Sequence, residues 1–343
     1  MVRRVGNLFS KICDYDNLML AHYNARKGKS HYCEVKMVNA DPDRYIGDIQ
    51  VLLQKKDFTT SKYKTQYIYE PKKRLIYKLP YFPDRIIQHA IMQVIQPIWD
   101  KTFITDLYSA IPGRGLHAGS YRLREFMGYN PQYCLKFDIS KFYPSILHDE
   151  LYNMIKRKIK CADALWLIKD IIDSTDGIPI GNYLSQYFGN IYLNGFDHWI
   201  KEKNHIKYYV RYCDDGVILH NDKKYLHELL SDMQSYLEPL NMHLNNKTRI
   251  FPVKQGIDFL GYVHYPTHVT LRKSSKRNLI YRTKLYGVQT PEHIRSSVMS
   301  SVGWLSHCDT YRLLDKYILT EEIMQYVDRE EILSAYNPSS RKR

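Results

Sequence analysis

Two adjacent carboxylates, Asp214 and Asp215, stand between two short β-prone runs, Tyr208 to Cys213 and Gly216 to His220. That spacing predicts a hairpin with the two aspartates in its turn. Like charges side by side on apolar strands are tolerated when solvated, or when a divalent cation neutralises them. A lone Asp-Asp is usually turn chemistry, so a third acid is needed before the pair counts as a site. Asp138 supplies it. Tyr133, Leu135, Phe137 and Ile139 alternate with Cys134, Lys136 and Asp138, which predicts a strand delivering Asp138 at its C-terminal end. An acid on a core strand is costly unless it is paired or bound to metal.

The segments between these acids read as helices. His148 to Lys160 is amphipathic, with Leu151, Met154, Ile155 and Ile159 inward. Gly177-Ile-Pro-Ile-Gly-Asn182 is a loop, and the helix after it places Leu184, Phe188, Ile191, Gly195 and Trp199 on one face. Upstream, the basic stretch Lys62 to Pro80 alternates and predicts a hairpin with Glu70-Pro71-Lys72 in its turn. Asp84 to Trp99 has helical spacing at Ile87, Ile91, Val94, Ile95 and Ile98, and the first ~60 residues mix helix and loop. Downstream, Ile257 to Val263 is a short strand pair or turn. After Thr270 the pattern is helical, broken at Gly287, Pro291 and Gly303, with a frayed basic tail from Ser339 to Arg343. Strand, helix, helix, strand, strand is the order of an α+β fold, an antiparallel sheet backed by helices.

Charge narrows the partners. The 343 residues carry 50 Lys+Arg against 36 Asp+Glu, a formal +14. Such an excess favours a polyanion, either nucleic acid or an acidic membrane surface, with a basic protein lacking any such partner as the bland alternative. Hydrophobic residues make up 44% of the chain, which excludes global disorder. No long uncharged apolar run is present, so no membrane span is expected. Cys13, Cys33, Cys134, Cys161, Cys213 and Cys308 form no CxxC motif and follow no secretory signal. They read as reduced, mostly buried thiols of a cytoplasmic protein. The 31 tyrosines suit stacking on bases as well as they suit a biased genome.

Three carboxylates converging on a sheet edge can hold two Mg²⁺ ions roughly 4 Å apart, the geometry of two-metal phosphoryl transfer. Mg²⁺ prefers such hard oxygen ligands, and Mn²⁺ is able to take its place.

The blocks around these acids together resemble the motifs of reverse transcriptases. Phe137 to Tyr143 resembles their first palm motif, Gly177 to Gln186 the second, Tyr212 to Asp215 the Tyr-x-Asp-Asp box, and Phe259-Leu260-Gly261-Tyr262 the primer grip. The resemblance runs from about Lys62 to at least Tyr265. It implies a right-hand polymerase fold: an N-terminal extension over 1–61, fingers and palm over 62–265, and a helical thumb with a basic tail over 266–343. It implies Asp138, Asp214 and Asp215 as metal-site carboxylates, with the Ile139 carbonyl completing a metal shell. Tyr143 would be the steric gate against a 2′-hydroxyl, and Arg74 the fingers arginine on the triphosphate. Ile180, Gly181 and Gln186 would line the nucleotide site, and Lys247 would protonate the leaving pyrophosphate. RNA template, DNA or RNA primer and deoxynucleoside triphosphates are the implied partners.

Ile178-Pro-Ile-Gly-Asn-Tyr-Leu-Ser-Gln186 is more particular. Ile180 stands where many reverse transcriptases carry Gln. That combination resembles the enzymes of diversity-generating retroelements, as do Tyr108 to Gly119 and Ser301 to His307. This likeness implies a bacterial or phage-encoded enzyme that copies a template-repeat RNA with errors opposite adenine, beside a small basic accessory protein. Ile111-Pro112 departs from that family's shorter polar link. A retron-type or defence enzyme, an intron-type maturase without its endonuclease, and a catalytically inactive RNA-binding scaffold stay open. All three carboxylates being present argues against the last.

Overall fold

The computed structural model describes residues 4–69, 73–286 and 289–337. The expected turn at Glu70 to Lys72, the break at Gly287 and the tail from Ser339 lie outside the described residues. Ten strands occur among them: β1 (Lys64–Ile68), β2 (Arg74–Lys78), β3 (Tyr133–Ser140), β4 (Tyr208–Tyr212), β5 (Asp215–His220), β6 (His243–Leu244), β7 (Arg249–Pro252), β8 (Ile257–Phe259), β9 (Tyr262–His264) and β10 (Val269–Leu271). The chain divides into two compact units, one comprising 1–112, 138–207 and 229–247, the other 113–137, 208–228 and 248–343.

In the first unit the first sixty residues are helical, without strands among those described. Asp41 caps the helix Pro42–Gln54 by accepting from the Arg44 amide, and Pro42 occupies the first turn, where its missing N–H costs nothing. Ile46, Ile49 and Leu53 are fully buried at helical spacing. The helix Ile86–Trp99 buries Ile87, Ile91 and Ile95. Its partner is the helix Tyr15–Ala25, to which it is tied by Asn17 Nδ2 donating to the Ala90 carbonyl (3.2 Å) and Gln93 Nε2 donating to Asn17 Oδ1 (2.8 Å). The basic hairpin forms as expected, β1 and β2 pairing antiparallel with Lys64 opposite Lys78.

Two helix expectations need correction here. The helix after Leu147 ends at Lys156, not Lys160. Ile159 forms a parallel bridge with Val5, and the Lys160 amide donates to the Val5 carbonyl at 2.8 Å, so the N-terminal segment takes the backbone groups a further helical turn would have used. The helix Ser185–His198 does not bury one stripe. Tyr187, Phe188, Ile191, Tyr192, Leu193 and Phe196 are all buried, whereas Gly195 is exposed. A helix apolar nearly all round is a core helix.

In the second unit β4 and β5 form the expected hairpin, with Tyr212 opposite Asp215. β7 pairs with β3 from Tyr133 to Lys136. A separate three-stranded sheet has the order β10-β9-β8. The last helices enclose a core of Ile294, Val298, Val302 and Leu305 on one face of Pro291–Leu305, joined by Leu314, Ile318, Ile323 and Ile332. Gly303 lies inside that helix rather than breaking it; neighbouring burial outweighs its roughly 1 kcal/mol helix penalty. None of the cysteines is in a disulfide, but only Cys13 and Cys134 are buried, and Cys33 is exposed. No helix among the described residues is long and apolar enough to cross a membrane.

Candidate active site

In the first unit, β3 ends in Asp138, Ile139 and Ser140. The Asn245 amide donates to the Asp138 carbonyl at 2.8 Å, and β6 pairs Leu244 with Ile139, so the backbone at Asp138 is fixed on that edge. Asp138 is half-buried while Ile139 is in the core. The chain then turns through Lys141 in the left-handed region, φ 47°, into the short helix Phe142–Ser145. Tyr143 is half-buried against Phe142, ring centroids 5.0 Å apart. Its carbonyl accepts from the Ile178 amide at 2.9 Å. Gly189, on the helix Ser185–His198, is the reason both rings fit: a Cβ there would stand 2.8 Å from Phe142 and 3.3 Å from Tyr143.

The Gly177–Asn182 loop is joined to the basic hairpin. The Tyr77 amide donates to the Ile180 carbonyl at 2.8 Å. Gly181 has φ +127°, and a Cβ on it would lie 2.3 Å from the Tyr77 carbonyl oxygen, an approach only glycine permits. Arg74 is exposed at the head of β2, opposite Ile68. Gln186 is exposed in the first turn of its helix, and Lys247 is exposed, its amide bonded to Asn245 Oδ1 at 2.7 Å.

In the second unit the aspartate hairpin departs from expectation. With Tyr212 opposite Asp215, the two-residue turn is Cys213-Asp214, and Asp215 is the first residue of β5. Cys213 takes the left-handed conformation, φ 53°, uncommon for a side chain other than glycine or asparagine. Arg211, with 0% of its surface exposed, holds the Cys213 carbonyl through Nη1 at 2.7 Å. Lys136 reaches Asp215 Oδ2 with its Nζ at 3.5 Å and also donates to the Asp258 carbonyl. Lys136 and Asp138 are two positions apart on β3 and share a face. Sequence reading placed Lys136 on that face without giving it a role, and passed over Arg211. A cation inside an apolar β run was the available signal for both.

The Phe259–Tyr262 hairpin turns at Leu260 and Gly261, with φ 54° and 86°. Phe259 and Tyr262 are fully buried, and Tyr262 Oη donates to the Trp304 carbonyl at 3.2 Å. These rings anchor the hairpin in the core, and Leu260 in its turn is buried as well.

Among the described residues no three His, Cys, Asp or Glu side chains form a ready metal-holding group. The donor type still suits a divalent ion, since the carboxylates are hard oxygen donors; Lys136 Nζ, 3.5 Å from Asp215 Oδ2, is a cation that such an ion would compete with.

Among solved structures the chain is similar to apo telomerase from Candida tropicalis, with TM-score 0.50 and 13% identity over 81% of this chain and 57% of that one. The likeness shows the fold, the α+β right-hand polymerase class that the motifs implied. The match to a family model is more particular. The chain belongs to the reverse transcriptase (RNA-dependent DNA polymerase) family, whose model matches residues 48–264. Protein YkfC of Escherichia coli K12 is 26% identical over 247 residues, covering 58% of this chain and 63% of the relative. Group II intron-encoded protein LtrA of Lactococcus lactis subsp. cremoris is 27% identical over 134 residues, 36% of this chain and 22% of the relative. The chain thus spans less than two thirds of the curated relatives it matches.

Proposed function

We propose that this chain is an RNA-directed DNA polymerase that extends a DNA or RNA primer on an RNA template with deoxynucleoside triphosphates. The observation that carries the reading is the aspartate hairpin within the family match: Asp214 in the turn and Asp215 at the head of β5, 3.5 Å from Lys136 Nζ. Asp138, Asp214 and Asp215, with the Ile139 carbonyl, would hold two Mg²⁺ ions. Bound there, the ions would supply activation of the primer 3′-hydroxyl and charge neutralisation on the triphosphate. Tyr143 excludes the 2′-hydroxyl of the incoming sugar, Arg74 grips the triphosphate from the exposed hairpin, and Lys247 offers its ammonium to the pyrophosphate. The Phe259–Tyr262 turn steadies the primer. Fingers and palm occupy 62–265 and the thumb 266–343, following the extension 1–61.

The test is primer extension on an RNA template with Mg²⁺. Asp214→Ala lowers the rate by on the order of 10³-fold or more, the scale of losing preorganised transition-state electrostatics; activity that survives the substitution refutes the site.

The finer reading is an error-prone enzyme of a diversity-generating retroelement, cytoplasmic in a bacterium or expressed from a phage, working with a small basic accessory protein. It rests on Ile180, half-buried, whose carbonyl rather than side chain is engaged by Tyr77. An apolar side chain there removes one polar contact near the nascent pair. Ile180→Gln reduces misincorporation opposite adenine when cDNA is sequenced; an unchanged error spectrum refutes it. The similarity to LtrA favours a second reading, an intron-type enzyme, which copies adenine with the same accuracy as the other bases.

A further inference from the structure

Backbone contacts tie the start of the Gly177–Asn182 loop to the chain at Tyr143. The Ile178 amide donates to the Tyr143 carbonyl at 2.9 Å. Gly177, at φ +63°, packs on the following residue so closely that a Cβ on it would stand 2.6 Å from the Pro144 carbonyl oxygen and 2.7 Å from the Pro144 Cα. Peptide groups packed this tightly leave no slack, so the position of the Gly177 backbone sets that of Tyr143-Pro144.

A side chain from another element holds Gly177. His148 opens the helix His148–Lys156, and its Nε2 lies 2.9 Å from the Gly177 carbonyl. A carbonyl oxygen only accepts, so Nε2 carries a proton and donates it. Thr175 Oγ1 also points at this carbonyl, but from 3.3 Å, longer than a well-made hydroxyl hydrogen bond. His148 is the stronger of the two restraints.

The imidazole is itself oriented. Nδ1 lies 3.3 Å from Asp173 Oδ1, and the other oxygen of that carboxylate takes Lys169 Nζ at 2.8 Å. Asp173 caps the C-terminus of the helix Ala162–Ile172, and Lys169 lies in its last turn. One helix therefore carries the ring and the end of a second aims it, a firmer support than a loop provides. Packing alone does not account for this arrangement. The His148 side chain is 25% exposed, and filling space does not require both ring nitrogens to meet oxygen atoms.

We propose that His148 is a positioning residue for sugar selection. This rests on the polymerase reading above, with Tyr143 as its gate. His148 acts through the backbone: Nε2 holds the Gly177 carbonyl, the Gly177-Ile178 peptide holds Tyr143-Pro144, and the Tyr143 ring stays where a 2′-hydroxyl collides with it. Discrimination by collision depends on where the obstructing ring stands, so releasing the carbonyl admits ribonucleotides more readily.

The test is single-nucleotide incorporation by the full chain on a primed RNA template with Mg²⁺. Deoxynucleotide and ribonucleotide are measured on the same preparation and compared as a ratio of kcat/KM. Loss of folded protein lowers both alike and leaves the ratio untouched. His148→Phe keeps a ring without a donor. His148→Asn places its amide nitrogen where Nδ1 stood and stops short of Gly177. Each lowers the preference for deoxynucleotides about threefold to tenfold, the scale of one net hydrogen bond. His148→Gln, whose amide nitrogen reaches the place of Nε2, keeps the ratio of the unsubstituted chain. A ratio unchanged in the Phe and Asn variants overturns the proposal. So does a ratio kept by Phe and lost by Gln, which assigns His148 to packing. No extension by the unsubstituted chain defeats the polymerase reading and this proposal with it, whereas extension with an unmoved ratio defeats this proposal alone.

Discussion

Lys136 carries two obligations at once, to the Asp215 carboxylate and to the Asp258 carbonyl. Removing its charge while keeping its length separates them. Lys136→Met leaves Asp215 with one less competing cation, so half-saturation by Mg²⁺ in primer extension falls severalfold, since charges this near interact by about 1–4 kcal/mol between the solvent and surface limits. The same variant loses roughly 1 kcal/mol of stability from the abandoned carbonyl, measured by denaturant melting. A raised Mg²⁺ requirement would refute the electrostatic account. That Asp138 rides on a strand and Asp214 in a hairpin turn was legible in the sequence, because acids are conspicuous between apolar runs. Their surroundings were not: alternation gives the face a side chain occupies, never the partner it meets there. The placement of Asp215 in the turn failed for a related reason. Register decides which residues are paired, and Tyr212 pairs with Asp215.

The elements that frame these residues depend on close approaches that only glycine allows. A Cβ on Gly216 would stand 2.2 Å from Cζ of Phe137, so Gly216→Ala costs ~1–3 kcal/mol by overpacking, read as a lower denaturation midpoint. Gly189→Ala is more informative, because it presses on Phe142 and Tyr143 without touching a carboxylate. If Tyr143 is the sugar gate, displacing its ring lowers the preference for deoxynucleotides over ribonucleotides by about tenfold, one 1.4 kcal/mol step, in single-nucleotide incorporation. An unchanged ratio removes Tyr143 from that role. Strands with clean alternation, such as β3, and the basic hairpin were readable from local pattern. The helix Ser185–His198 was read as a helix, but its buried surface was not, since a helix buried on nearly every side has no polar stripe to mark its phase. The end of the helix at Lys156 was equally hidden, set by a bridge to Val5 more than 150 residues away in sequence.

At the scale of the whole molecule, each compact unit contains an imidazole that burial keeps neutral. His89, stacked on Tyr183 in the first unit, is pushed down to about 3, mainly by burial and then by Arg85. His264, fully buried in the second and hydrogen-bonded to Ser120, is pushed down to about 4, again mainly by burial. Because the unfolded chain binds these protons first, stability is complete above the ordinary histidine range near pH 6.5 and declines as pH falls toward 4. The loss is on the order of 3 kcal/mol per group. Thermal melts across that window should show it, and His264→Gln should flatten the decline in proportion; a flat profile in the unsubstituted chain would contradict the burial account. None of this was visible in composition, which records fourteen histidines without their surroundings.

Cys33 lies on the wall of a lysine-lined cavity and is the exposed cysteine among those described, whereas burial raises the thiols of Cys13, Cys134 and Cys308 and slows their reaction. Once the half-buried Cys161 and Cys213 are replaced by serine, the chain carries a built-in attachment point for a fluorophore, and a maleimide dye placed there would report optically on the surroundings of that wall.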